Sequence, residues 1–426
     1  MELLKHIASS IGVLCAMLVV PVAKAQHIEE YNRSSLYTIT LLHSEDRMYN
    51  EIFLTALDMP VPDRYNDNSL SLRVVGAPNA KGKMNYSPEK MSAEIAKFLN
   101  ENHIGRRMVA RWFDRDKNTG AFSTATLEQR GHYNLSALDL QRAQWTIDGR
   151  MYIEDADVEL IPQTFVIVND ITYIDKEKNA QIASSILSAL GSAAGSIGNG
   201  LSNSVAGAGS IGSLAELTLN AGADISDLIA GFTVDIRSYL FQLEWNEEIA
   251  NKFYLDYFYT DTIDLIKKAA FEADETSFRM KYLGTYNARS AKTSPRGLYE
   301  PAQVFRKVLT RATDKNIVEL QKQYPVFKVT TVITGINDQN EAMLSIGLKE
   351  GVNPKSKYEV LQRELKNGKL KYTRVATLTP VAGKIWDNRY MAAEEEAENA
   401  QLGFTTFKIN SANADLLPGM LVREMR

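Results

Sequence analysis

Apolar residues change period several times along this chain, and each change predicts an element. From Leu36 to Leu41 they alternate as in a half-buried strand, and then Met48, Tyr49, Ile52, Phe53 and Leu57 recur at helical spacing. Leu70, Leu72 and Val74 predict a second strand. Ser87-Pro88-Glu89 reads as a helix start, with a capping hydroxyl, a proline in the first turn and an acid at the positive end of the helix dipole. Met91, Ile95, Phe98 and Leu99 form the inward stripe of that helix. A short helix follows from Met108 to Phe113, then a strand from Phe122 to Leu127, then a capped helix start at Ser136 to Asp139. The apolar run Thr164 to Val168, continued by Ile171 and Tyr173, predicts a strand covered on both faces.

Further along, Phe232, Val234 and Ile236 alternate in one phase and Tyr239, Phe241, Leu243 and Trp245 in the other. A β-bulge at Arg237-Ser238 would keep both sets on one core side. Helical spacing returns from Glu247 to Phe278, carried by Ile249, Phe253, Tyr257, Ile263 and Ile266. Asn287 to Gly297 reads as a polar surface loop, and Pro301 to Tyr324 as a helix with Val304, Val308 and Leu309 inward. From Pro325 onward, short strands replace helices: Val326–Ile333, Ala342–Ile346, Lys357–Arg363, Leu370–Leu378, Phe404–Ile409 and Met420–Val422. Asn367-Gly368 is a hairpin signal, and Glu394 to Glu398 reads as a solvated acidic turn. The order predicts an α/β (α+β) domain with a mixed sheet and flanking helices, then a small all-β barrel or sandwich.

The boundaries expected are 1–25 for a signal peptide, 26–178 and 232–324 for the two parts of the α/β domain, 179–231 for an insertion, and 325–426 for the β-domain. The first 25 residues have the three parts of an export signal: Lys5, the apolar run Ile7 to Val22, and Ala23-Lys24-Ala25 before a cut at Gln26. That cut removes Cys15, the chain's one cysteine, so no disulfide staples the exported protein. Leu14 stands where a lipoprotein signal needs a small residue before its acylated cysteine. The combination points to the periplasm of a Gram-negative envelope or the inner face of its outer membrane. With a net charge of −4, composition alone gives no reason to expect a nucleic-acid binder.

Asn179 to Ala215 carries no charge and is rich in Gly, Ala and Ser. Its apolar residues Ile182, Ile186, Leu190, Ala193, Ile197, Leu201 and Val205 step by four or three, which predicts a small-residue helix. Packing inside the domain, self-association and membrane contact through 182–214 are the roles open to it. Gly207-Ala-Gly209-Ser-Ile-Gly212 has the letters of a dinucleotide fingerprint but no strand before it, and Ala194-Gly-Ser196-Ile-Gly198 lacks the first glycine of a serine elbow. Asp114-Arg-Asp116-Lys-Asn118-Thr-Gly120 resembles the start of a calcium loop, yet Thr119 stands where glycine is needed and Ala125 where the closing acid belongs. An ordinary Asp/Asn/Gly turn is the expectation there. His27, His43, His103 and His132 are scattered singly. No catalytic, cofactor-binding or metal-binding residue, and no cofactor, is therefore expected.

Several segments together resemble the exported α/β domain shared by the curli-secretion lipoproteins and the lipoprotein activators of penicillin-binding proteins. They are the helix into Arg106-Arg-Met-Val-Ala-Arg-Trp-Phe113, a strand entering Leu127-Glu-Gln-Arg-Gly131, the strand Thr164 to Val168 with Asn169-Asp170-Ile171, and the long strand Phe232 to Trp245. Ile346 to Gly351, Tyr358 to Leu361 and Leu417 to Val422 look like the small C-terminal barrels of outer-membrane and flagellar assembly factors. The chain departs from the curli channel in two respects: the mature chain has no acylatable cysteine, and the insertion is patterned as helix rather than as alternating membrane strand. The resemblance implies a non-enzymatic envelope interaction or assembly factor whose partners are envelope proteins, including further copies of itself. An oligomeric outer-membrane pore using 179–215 and a hydrolase of envelope polymers are the alternatives.

Overall fold

The computed structural model describes residues 34–43, 49–59, 61–62, 64–77, 87–133, 159–175, 229–295, 301–328, 330–366, 369–394 and 397–425. The export signal, the capped start at 136–139 and the uncharged segment with its two glycine motifs lie outside the described residues. The described part belongs to one compact unit, Tyr31–Arg426, built on two sheets.

The first sheet is mixed. β1 (Ser34–Leu42) pairs in parallel with β2 (Tyr65–Asp67) and β3 (Val74–Gly76) on one side and with β4 (Thr164–Asp175) on the other. Beyond β4 come β5 (Ile229–Leu243) and β6 (Met280–Pro295), both antiparallel to their neighbours. β1 is buried on both faces rather than on one, with Leu36, Tyr37, Ile39, Leu41 and Leu42 all in the core. One face packs under α2 (Pro88–Glu101) and α3 (Ile104–Trp112), where Tyr37, Ile39, Val166, Val168, Tyr239 and Phe241 meet Ile95, Leu99, Met108 and Trp112. The other lies against α1 (Tyr49–Asp58) and α7 (Pro301–Gln323), where Leu36, Phe165, Ile167, Ile236 and Leu240 meet Ile52, Phe305, Leu309, Ile317 and Leu320.

This double cover removes the need for the expected bulge at Arg237-Ser238. β4 and β5 pair without a break from Phe165↔Gln242 to Asp175↔Phe232. Ile236 and Leu240 simply face α7, while Tyr239, Phe241 and Leu243 face α2 and α3. The register shift in β5 falls instead at Leu240/Phe241 on its β6 side. Asn287 to Gly297 is not a loop up to Pro295, because β6 continues through it as the edge of the described sheet, where polar side chains are tolerated.

Four further expectations are corrected. Leu70 and Leu72 join no strand: the Arg111 guanidinium takes the carbonyls of Asp67 and Ser69, and the Tyr37 hydroxyl takes that of Leu72, so those groups are spent outside the ladder. Phe122 to Leu127 is not a strand but the lead into α4 (Ala125–Tyr133), whose first-turn amides are met by Ser123 Oγ and Asp114 Oδ2. The same helix overturns the strand expected at Leu127–Gly131. The Glu247 to Phe278 helix is broken into α5 (Glu247–Lys252), which runs into a π-turn at Phe253–Tyr257, and α6 (Leu265–Ala273). Asp264 caps α6 by accepting from the Ile266 and Lys267 amides, and this leaves Ile263 and Ile266 exposed rather than inward.

The second sheet is antiparallel, in the order β7 (Thr330–Val332), β13 (Leu421–Glu424), β10 (Tyr358–Lys366), β11 (Lys369–Pro380), β12 (Thr405–Ala412), β9 (Glu341–Leu344) and β8 (Gly335–Ile336). Register shifts at Val360/Leu361 and Thr377/Leu378 curl it around Leu344, Val360, Leu378, Phe407 and Val422. Lys366 pairs with Lys369, which leaves two residues for the connection, as the Asn-Gly signal predicts. Pro325–Phe327 is a 3₁₀ turn, so the strand expected from Val326 is confined to Thr330–Val332.

The two sheets are joined by a buried ion pair. Arg64 Nη2 lies 3.0 Å from Glu350 Oε1, and both side chains are only 6% exposed. The other Glu350 oxygen accepts from the Gly347 amide at 2.8 Å and from Asn388 Nδ2 at 2.7 Å. Beside the pair, Tyr65 stacks on Phe327 with ring centroids 5.4 Å apart. Removing one partner leaves an uncompensated buried charge, which costs about 3–5 kcal/mol. Glu350→Gln is expected to destabilise the whole unit by about 3 kcal/mol, and Arg64→Met/Glu350→Leu by clearly less. Urea unfolding of the three proteins checks this, and a double variant weaker than the single one would contradict it.

Candidate functional site

α3 is amphipathic, and its buried side decides where its charges go. Ile104, Met108, Val109 and Trp112 are fully buried, and burying each such side chain contributes roughly 1.5–3 kcal/mol. Trp112 Nε1 donates to Thr164 Oγ1 at 2.8 Å in the core. Gly105 lets the helix lie directly on the backbone that leads into β6, since a Cβ there would overlap the Phe278 carbonyl. His103, in a left-handed conformation (φ 51°), turns the chain from α2 into α3. With that side fixed, Arg107 and Arg111 project to solvent one turn apart.

Neighbouring elements add further cations. Arg106 reaches the last carbonyls of α6, donating to Phe271 O at 3.2 Å and Asp274 O at 3.0 Å, where a cation suits the negative helix end. Arg115 pairs with Glu272 at 2.8 Å, and its guanidinium lies over the Phe271 ring. Arg130, on α4, lies over the Trp112 ring at 4.3 Å and donates to Ser35 Oγ at 3.1 Å. Burial pulls its guanidinium down to about 10, helped by the Arg111 charge and opposed by Asp114, so it stays cationic at neutral pH.

Together these residues line an open groove of about 620 Å³. Among the described residues, its charged lining is Arg107, Arg111, Arg115, Lys117 and Arg130 against Asp114, with Leu70 and Ala110 as apolar floor.

The calcium-like motif forms the rim of this groove and is a turn. Asp116 Oδ1 accepts from the amides of Asn118 and Thr119 and from the Thr119 hydroxyl at 2.7–2.9 Å, bonds that hold its carboxyl below the usual range. Asp114 accepts from the Thr126 amide and hydroxyl. Gly120 closes the turn at φ 78°, the Tyr259 hydroxyl accounts for the Thr119 carbonyl, and Lys268 for that of Asn118. No group of three or more His, Cys, Asp or Glu among the described residues is placed to hold a metal ion.

One histidine is less solitary than its sequence surroundings imply. His43 Nε2 sits 2.6 Å from Asp170 Oδ1, 127 residues away, just past the end of β1 and beside the middle of β4. Both are buried, at 8% and 1% exposure, so the pair ties the end of β1 to β4 beneath the surface. Sequence spacing holds no signal for this pair, nor for Arg130 joining the arginines of α3. No protein-family model matches the chain, and no curated protein matches its sequence.

Asp274 anchors the ground behind α3. Burial works to raise its carboxyl, but bonds from Ser277, the Tyr257 hydroxyl and the Thr276 amide outweigh that and hold it far below the usual range. A depressed carboxylate stabilises the fold above its unfolded pKa, about 3.9, and the contribution fades as pH falls through the folded value. Asp274→Asn is therefore expected to lower the melting temperature at pH 7, with the gap from wild type narrowing below about pH 4. A gap unchanged down to about pH 2 would contradict the assignment.

Proposed function

We propose that this chain is an exported, non-enzymatic envelope protein that acts as an interaction or assembly factor by docking partner proteins. In this reading the signal is cut between Ala25 and Gln26 and the mature chain works in the periplasm or at the outer membrane. The observation that carries the reading is the open groove of Arg107, Arg111, Arg115, Lys117 and Arg130. Its shape and charge suit a macromolecular surface: it is wide and mouth-like, and among the described residues Asp114 is the one acid lining it, already engaged by Thr126. General acid–base hydrolysis of a polymer needs two positioned groups of matched pKa, which this lining does not supply.

Docking through exposed cations is screened by salt, because the Debye length shrinks from about 10 Å at 0.1 M to about 3 Å at 1 M. Mature chain carrying a photo-crosslinker at position 117 is expected to capture an envelope protein at low salt and to lose most of that product at about 1 M salt. A chain that sediments as a lone monomer and captures no envelope protein at either salt would overturn the proposal.

A further inference from the structure

The groove holds more positive charge than the protein around it neutralises. Glu272 answers Arg115; Arg111 donates to carbonyls and feels the Asp67 carboxylate, which is itself paired with Arg73, and Arg130 donates to a hydroxyl, so neither has a carboxylate of its own. Arg107 and Lys117 are exposed, and among the described residues neither has an ion-pair partner. Within the groove lining, four cations therefore face the single carboxylate of Asp114. Holding like charges together is unfavourable, and an anionic occupant would relieve it.

The spacing of the cations says what shape of anion fits. Arg107 and Arg111 are one helical turn apart, about 6 Å along the axis at 1.5 Å per residue. Side chains at alternate positions of an extended peptide share one face and lie about 6.8 Å apart. Glutamates at i and i+2 of such a peptide would each meet one guanidinium, in the paired geometry that arginine and carboxylate favour. Lys117 extends the array beyond the helix end, and Leu70 with Ala110 gives the peptide an apolar floor. A compact phosphate would engage one or two of these cations and leave the rest of the array unanswered.

We infer that the groove between α3 and α4 is a binding site for an extended acidic peptide segment of a partner protein, with carboxylates at alternate positions. This rests on the reading of the chain as a docking factor that uses this groove.

The test is fluorescence anisotropy at low salt with a labelled peptide carrying Glu at alternate positions, its Gln counterpart, and inorganic phosphate as competitor. The Glu peptide is expected to bind saturably, the Gln peptide not, and phosphate to displace the Glu peptide only at concentrations where ionic strength alone does so. Arg107→Glu/Lys117→Glu is expected to weaken binding about tenfold or more, as loss of close charge pairs does. Lys355→Glu/Lys408→Glu, an equal charge change on the β-domain surface, should leave binding unaltered, with melting curves confirming that both variants fold. Absence of saturable binding, equal weakening by both variants, or displacement by low phosphate would overturn the inference. If position 117 still captures an envelope protein in a salt-sensitive way while the Glu peptide fails, the acidic-peptide assignment alone is refuted; if both fail, the docking role falls with it.

Discussion

Strands β4 and β5 bury side chains on both of their faces, and that requirement organises the rest of the described structure. A sheet with apolar residues on each side must be covered twice. Here α2 and α3 supply one cover, α1 and α7 the other. Asn316 of α7 fixes the second cover by donating to the Ile236 carbonyl and to Ser238 Oγ, while Ser238 in turn donates to Asn169 Oδ1. Such a buried polar chain favours one seating of the helix, because any other leaves the donors of Asn316 and Ser238 unpaired.

The same requirement creates the groove. Four buried side chains of α3 outweigh what its exposed arginines gain from surface pairing, where a contact is worth about 0–1 kcal/mol. The core therefore sets the rotation of α3, and Arg107 and Arg111 follow to the outside. Arg130 depends on the same seating, since its guanidinium packs on the ring of Trp112, whose indole nitrogen is held by Thr164 in β4. On the far side of the sheet, α7 packs against the turn carrying Glu350, so the Arg64–Glu350 pair and α7 together tie the curled β-sheet to the mixed one.

Much of this order is legible in the residues. The α2 cap at Ser87, the two-face burial of Thr164 to Val168, the long α7 and the two-residue β10–β11 connection all follow from local pattern, because each depends on neighbours a few positions away. The misreadings share a cause in distant partners. Two phases of apolar residues in β5 read as a bulge because sequence does not show α7 waiting on the second face. Asn287 to Pro295 reads as loop because polarity alone does not separate a loop from an edge strand. The candidate site was not anticipated: Arg106, Arg107 and Arg111 stand together in α3, but local pattern marks that segment only as a short helix, and the Asp114 motif reads only as a turn. Arg130 meets Ser35 across 95 residues and His43 meets Asp170 across 127, contacts that no periodicity encodes.

The central claim is that seating α3 in the core presents Arg107 as an unneutralised cation in an open groove, whereas Arg64 spends its charge inside the protein. Mass-mapped modification of the folded chain with an arginine-selective dicarbonyl reads that difference directly. Arg107 is expected to react far faster than the buried, ion-paired Arg64, and to be protected when an acidic peptide is bound. An Arg107 that reacts as slowly as Arg64 in the free protein would contradict the account.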